Sequence, residues 1–319
     1  MTLRTVTLSP GFDHCCLVDR LVPADVSEVI SWHVHASGKG VNVARTAASL
    51  GVTAVAYSLI GDADDDEFVT LIERSGVQAV TVAVPGSTRR NLTIRTTASA
   101  TAAAHAVGTR LEATSSDADE LIARLLSDIE PGDLVTLNGA TAQGVHGGVW
   151  AEVGAAAHQR GGTLLADVQG ESLLRLLESG VVSMAKPNQD EALVLVGPAT
   201  ETSSLGAVGS ALDRMEVLGV ETPVVTLGAR GAVHLEEGKP LHTSCPVDQV
   251  MVVVGAGDAF MAGYCAAMEG GGGWFGCDPV KLGVAVAAAH VSGAEGSSLQ
   301  ITARSMLDIT DQRVGDLWS

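Results

Sequence analysis

Short runs of β-branched residues alternate with longer Ala- and Leu-rich stretches along this chain. No other feature constrains its fold as much. Val6 to Ser9, Thr53 to Leu59, Leu134 to Leu137, Thr163 to Asp167, Val182 to Ala185 and Val224 to Leu227 read as buried strands. Between them lie helical patterns, among them Val43 to Leu50, Asp117 to Ile129, Trp150 to Arg160 and Ser203 to Leu218. Such alternation predicts an α/β chain with a parallel sheet covered by helices on both faces. Aromatic residues make up only 3% of the 319, so the core has to be built from Ala, Val and Leu. That composition suits helices packed closely on a parallel sheet. The length allows one large core, or a core with a small appendage.

Two stretches break the rhythm. Leu17 to Val34 and Val80 to Val107 carry strand-like residues with little helical period. Val80 to Val84, then Pro85-Gly86, then Asn91 to Thr96 reads as strand, turn, strand. The expectation is a small β lid over the main domain, with Gly270 to Gly273 as a flexible loop between helices. A net charge of −18 with no basic stretch argues against a nucleic-acid partner. Cys15, Cys16, Cys245, Cys265 and Cys277 contain no C-x-x-C pair and support neither a disulfide framework nor a zinc site. The segment Met1 to Leu8 reads as a first strand rather than a signal peptide, and no uninterrupted apolar run is long enough for a membrane span. A soluble, cytoplasmic chain is expected.

The chemistry concentrates in Val254-Gly255-Ala256-Gly257-Asp258-Ala259-Phe260, which precedes a helix-forming stretch to Met268. Glycines at a helix start can turn backbone N–H groups toward an anion, and the helix dipole favours negative charge there. A carboxylate is a poor anion binder. Asp258 is better used as a base that takes a proton from a hydroxyl attacking a phosphate. The alternative is an ordinary Gly-rich turn with an acidic first-turn residue. A second Gly-rich element, Ala36-Ser37-Gly38-Lys39-Gly40-Val41-Asn42-Val43-Ala44, also precedes a helix. It lacks the spacing of a P-loop, and Asn42 can offer a sugar both a donor and an acceptor. Asn42 could equally be a helix-start residue facing solvent.

Together these elements resemble the signatures of the PfkB carbohydrate kinase family. Further matches follow in the family's order: Thr7 to Asp13, Thr88-Arg89-Arg90-Asn91, Lys186-Pro187-Asn188-Gln189-Asp190-Glu191 and Thr226-Leu227-Gly228-Ala229-Arg230-Gly231-Ala232. The resemblance implies a ribokinase-like three-layer α/β/α domain with a mostly parallel sheet and a small β-sheet lid. Residues 1–14, 35–79 and 108–319 would form the main domain, and residues 15–34 and 80–107 the lid. It implies ATP-dependent phosphorylation of a sugar phosphate, of the 1-phosphofructokinase, 6-phosphofructokinase or tagatose-6-phosphate kinase type. Asp258 would be the general base, and Gly255, Ala256 and Gly257 the backbone anion hole. Asp13, Gly38, Lys39, Asn42 and Arg89 would bind the acceptor, Arg89 through its guanidinium fork to the substrate phosphate. Lys186, Asn188, Thr226, Gly228 and Gly231 would bind the nucleotide, although Lys186 could be a surface residue. Asn188 and Glu191 would order Mg2+, through water, and otherwise read as a helix cap.

Two departures leave the acceptor open. Ser27-Glu28 stands where relatives have Asn-Arg, and Asn138-Gly139-Ala140 where they have Ser-Gly-Ser. A glutamate near a phosphate would repel it. Val252-Val253-Val254 replaces the residues associated with a monovalent-cation site, so strong potassium activation is not expected. Ser37 takes the place of a glycine, which could alter lid motion. His33 and His35 have no third metal ligand nearby, Arg90 reads as solvated, and Asp62 to Glu67 reads as a solvated helix start. Rival readings are a kinase of an unphosphorylated sugar or polyol, and a non-catalytic sugar or nucleotide sensor. A dinucleotide-binding oxidoreductase is weaker, because no G-x-G-x-x-G follows the first strand. Exposed lid edges would favour a homodimer.

Overall fold

The computed structural model describes residues 1–22, 25–97, 99–197 and 204–314. The chain opens with β1 (Leu3–Thr7), then the antiparallel pair β2 (Gly11–Val18) and β3 (Val29–Ser37). Next come α1 (Lys39–Ser49), β4 (Ala54–Gly61), α2 (Asp65–Glu73) and β5 (Gln78–Val84), followed by β6 (Arg90–Thr96) and β7 (Ser99–Ala106). Alternation resumes with α3 (Ser115–Asp128), β8 (Leu134–Gly139), α4 (Val149–Gln159), β9 (Thr163–Val168), α5 (Glu171–Leu177) and β10 (Val182–Ala185). Then follow α6 (Gln189–Val196), α7 (Ser204–Val217), β11 (Thr222–Thr226), β12 (Ala232–Glu236) and β13 (Lys239–Ser244). The chain closes with α8 (Ala256–Glu269), α9 (Pro279–Val291), α10 (Gly296–Ile309) and β14 (Asp311–Val314).

Ten strands form one sheet in the order β14-β13-β12-β11-β10-β9-β8-β1-β4-β5. From β11 to β5 every pairing is parallel, and β12 to β14 add an antiparallel edge. Strand residues alternate between two apolar layers, as the period of two demands. Val6, Tyr57 and Leu137 face the layer of α3 to α7, while Leu3, Ala56 and Leu134 face that of α1, α2, α8, α9 and α10. The small side chains of α8 and α9 let these helices bury most of their length. The three-layer expectation holds. Among the described residues, no helix is long and apolar enough to cross a membrane.

Four strands, β3-β2-β6-β7, form the separate small sheet. Two details differ from the sequence reading. Val80–Val84 is not part of this lid. It lies in β5, paired in parallel with β4, because Val82 and Val84 are buried in the main core. The lid hairpin is β6–β7 instead. The lid also begins at Gly11 rather than beyond Asp13, so Asp13 stands on its first strand. Between α8 and α9, Gly271–Gly273 forms a short 3-10 turn around the buried Trp274, whose indole N–H donates to the Leu50 carbonyl.

The chain runs from β1 outward through β4 and β5, then returns to β8 on the other side of β1. Between β1 and β8 the winding direction therefore reverses, and the carboxyl ends of such strands are where open α/β sheets hold ligands. Asn138, Asp167, Lys186 and Thr226 all stand at or just beyond those ends.

Candidate active site

Asp258 lies in the first turn of α8 with 6% of its surface exposed. The turn into this helix uses Gly255 at φ 87°, a left-handed conformation that a residue with a Cβ adopts only at a cost. First-turn N–H groups have no intrahelical partner. That of Ala256 leans back on the Val253 carbonyl at 3.4 Å. Asn42, on the first turn of α1, donates from Nδ2 to Asp258 Oδ2 at 2.8 Å. The solvent-facing alternative for Asn42 is therefore excluded. Burial, and then the negative charge of Asp167, push the Asp258 carboxyl up to about 7, while the Asn42 bond and the cations of Lys39 and Lys186 pull the other way. Near neutral pH this carboxyl can hold or release a proton, as a general base requires.

Asp167, which the sequence reading did not single out, organises the charge beside it. It ends the apolar run Leu164-Leu165-Ala166 on β9 and is almost fully buried. Lys39 Nζ lies 2.9 Å from one of its oxygens and Lys186 Nζ 3.3 Å from the other. Burial raises the Asp167 carboxyl, but the two ammonium groups outweigh it and hold it below its ordinary range. Burial likewise pulls on Lys39, but Asp167 and Glu191 keep that ammonium firmly protonated. Lys186 is buried, not a surface residue. The one signal that could have found Asp167 is a lone carboxylate closing a buried parallel strand.

Asn188 and Glu191 form a reciprocal cap on α6. Asn188 Oδ1 accepts from the Glu191 N–H, and Glu191 Oε2 accepts from the Asn188 N–H, both at 2.9 Å. Glu191 Oε1 faces Gln169 Nε2 at 2.9 Å and Lys39 Nζ at 3.3 Å. Thr226, at the end of β11, bridges to Asn188. Gly228 opens the following turn with free space around it. The side of Gly231 where a Cβ would point is filled by the Thr243 backbone of β13. Close strand packing accounts for Gly231.

Just before the same N-terminal end of α1, Asp13 is held from both sides. Ser37 Oγ donates to one carboxylate oxygen at 2.6 Å and Asn91 Nδ2 to the other at 2.7 Å. Ser37 thus does not strain the backbone. It sits in extended β3, and its hydroxyl orients Asp13. Gly38 precedes α1 and packs against Thr7 and Pro10. Arg89 is half-buried and gives Nε to the Pro10 carbonyl and Nη2 to the Ser9 carbonyl, at 3.1 and 3.0 Å.

Three sequence expectations change here. Arg90 is not merely solvated: it pairs with Asp64 at 2.6 Å and lies over the Phe12 ring. Asp64 is buried and also accepts from the Thr88 N–H, so the acidic stretch is not wholly a solvated face. Glu28 is exposed in the β2–β3 turn, next to a register in which Val18 faces Val29 while Asp13 faces His35. It is thus some five residues along the strand from Asp13, roughly 16 Å. Within one chain it does not approach Asp13. Asn138 is also turned inward, its amide donating to the Thr136 and Val6 carbonyls.

The profile of the pfkB family carbohydrate kinases matches residues 10–302. The 1-phosphofructokinase of Vibrio cholerae is 30% identical over 261 residues, covering 82% of this chain and 81% of that protein. The 1-phosphofructokinase of Xanthomonas campestris is 31% identical over 270 residues, covering 83% of each. In fold, the chain is similar to the crystal structure of phosphofructokinase-2 from Escherichia coli, with a TM-score of 0.83 at 24% identity, over 97% of this chain and 99% of that one. The chain belongs to the pfkB family of carbohydrate kinases.

Proposed function

We propose that the protein transfers the γ-phosphoryl group of ATP to a hydroxyl of a ketohexose monophosphate, with fructose 1-phosphate the first acceptor to test. Fructose 6-phosphate and tagatose 6-phosphate are the next. The observation that carries this reading is Asp258: a buried carboxyl poised near neutrality, oriented by Asn42, at a helix start that favours anions. Asp258 takes the proton of the acceptor hydroxyl as that oxygen attacks the γ-phosphorus and ADP leaves. N–H groups of Gly255 and Gly257, joined by that of Ala256 when it leaves the Val253 carbonyl, face the charge that builds on the phosphoryl oxygens. Lys39 and Lys186, held in place by Asp167, supply cationic charge beside them.

Asp13, fixed by Ser37 and Asn91, binds acceptor hydroxyls, with Gly38, Lys39 and Asn42 along the same wall. Arg89 receives the acceptor's own phosphate. Asn188, Thr226 and Gly228 support the nucleotide. Among the described residues, no group of three or more Asp, Glu, His or Cys side chains forms a metal cage. The oxygens of Asn188 and Glu191 are engaged in the cap, which fits a Mg2+ ordered through water rather than by direct bonds. Held through water by Asn188 and Glu191, a Mg2+ would supply positive charge to neutralise the phosphates. Val29, Ile30 and Trp32 are more than half exposed on β3, an edge of the lid, which supports pairing with a second copy. The need for ATP supports a cytoplasmic location.

One observation favours a second reading, an unphosphorylated sugar as acceptor: two of the three Arg89 nitrogens already serve backbone carbonyls. ADP release with ATP and Mg2+ against ketohexose phosphates and free sugars decides between them, with Asp258→Asn as control. Turnover confined to free sugars would overturn the sugar-phosphate reading. Turnover that survives Asp258→Asn would remove Asp258 as base.

A further inference from the structure

The Gly255 turn is reached through an exposed apolar loop, Val250 to Val254, with Val253 and Val254 66% and 60% exposed. Apolar burial therefore does little to fix its last residues. Backbone bonds from the Met251 and Val252 N–H groups to the Val291 carbonyl, at 2.8 and 3.2 Å, pin only its start. At its end, among the described residues, one side chain reaches the peptide leading into Gly255. His290, one residue before the end of α9, places Nε2 2.8 Å from the Val254 carbonyl oxygen. A carbonyl can only accept, so Nε2 carries the proton and donates. The ring also backs onto Gly255, where a Cβ would lie 3.1 Å from Nε2.

We propose that His290 is a positioning residue for the anion hole, acting through the Val254–Gly255 peptide. In a planar trans peptide the carbonyl and the following N–H point in opposite directions. By holding the Val254 carbonyl against α9, His290 aims the Gly255 N–H at the opposite side, away from its own ring and toward the transferring phosphoryl group. Gly255 has no Cβ, so the barrier to turning this peptide over is small, and a flipped peptide would present a carbonyl to the phosphoryl group instead. A left-handed glycine after an exposed loop needs such an anchor more than a buried one would. This inference rests on the kinase reading given above and assigns a role that none of the sequence motifs carries.

The test compares wild type, His290→Ala and His290→Gln in steady-state kinetics with ATP, Mg2+ and the acceptor the wild type uses, beside the thermal midpoint of each. Removing one preorganised donor from an oxyanion site costs about 10²- to 10³-fold in kcat. His290→Ala leaves the donor present but unaimed, so kcat should fall on the order of 10- to 100-fold with acceptor KM little changed. Glutamine carries an N–H donor and should recover most of that loss, and added imidazole should partly rescue the alanine variant. A kcat for His290→Ala within about two-fold of wild type overturns the proposal, as does a loss carried wholly by KM. Equal losses in both variants, without imidazole rescue, assign the ring to packing and overturn it too. Failure of the kinase reading is distinguishable, because the wild type itself would then show no acceptor turnover.

Discussion

Replacing Asp258 by asparagine should stabilise the protein, and by an amount that depends on pH. Asparagine mimics the protonated acid in shape and hydrogen bonding but cannot ionise. The wild-type carboxyl is raised from 3.8 to about 7 by burial and by Asp167. A raised acid pKa means the folded state holds the proton more tightly than the unfolded chain. Its stabilisation is complete below the unfolded value and is lost as pH rises to the folded one. Each unit is worth about 1.4 kcal/mol, so full ionisation costs the folded wild type about 4 kcal/mol relative to the neutral isostere. Between about pH 5.5 and pH 7 the expected part is roughly 2 kcal/mol. With an unfolding entropy of about 2.1 cal/mol/K per residue, a chain of this size shifts its midpoint by about 3 °C for that energy. Differential scanning calorimetry of both proteins across the range should show the advantage of Asp258→Asn growing by about that amount and levelling off above roughly pH 8. An advantage that is flat across the range, or that shrinks as pH rises, would refute the argument that Asp258 ionises near neutrality.

The same group sets the rate profile: kcat/KM for the acceptor should fall about tenfold per unit below roughly pH 7, since only the ionised carboxylate can take the hydroxyl proton. Lys39→Met should move that limb to higher pH, because Lys39 is one of the charges holding Asp258 down; an unmoved limb would detach the two. Ser37→Ala removes one of two bonds to Asp13 and should raise acceptor KM about five- to tenfold, a loss of about 1 kcal/mol, with nucleotide KM unchanged. Gly40→Ala should lower both stability and kcat, since its Cβ would overlap Thr7 Oγ1 and lie 2.9 Å from Asn138 Nδ2. Thr7→Ala in the same chain should restore part of both losses, and strictly additive effects would argue against that contact.

Elements with strong periods were legible in the sequence, and so were residues tied to a backbone demand. Alternation alone located six of the seven strands of the parallel sheet, and four of the helices between them. Gly255 and Asp258 became readable only beside the second Gly-rich element, because a glycine turn with a first-turn carboxylate also serves as an ordinary helix start. The strand Val80–Val84 was assigned to the wrong sheet because its V-T-V-A-V alternation suits any half-buried strand. Only its partner, β4, decides which sheet it joins. Asp167 escaped notice because nothing local marks it. Its importance comes from Lys39, 128 residues earlier in the chain, and from Lys186. The inward turn of Asn138 and the two carbonyls on Arg89 are likewise set by chain packing from elsewhere, which no spacing rule encodes.

One helix joins the two halves of this site. Lys39 and Asn42 are three residues apart on α1, so they share a face and are separated by about 4.5 Å along the axis. Lys39 is fastened to Asp167 on β9, and Asn42 to Asp258 on α8. The cationic cluster and the base are therefore not positioned independently: a shift of α1 moves both. Electrostatics couples them as well, since Asp167 raises Asp258 while Lys39 and Lys186 lower it. An anion arriving at the lysines would weaken their pull on Asp167 and Asp258 alike, and strengthen the base as the phosphoryl donor binds. A carboxyl that is half neutral in the empty site limits the repulsion an incoming phosphate meets. In the proposed reaction, the same burial that costs the folded chain stability at high pH thus lets Asp258 stand beside a polyphosphate and still serve as the base.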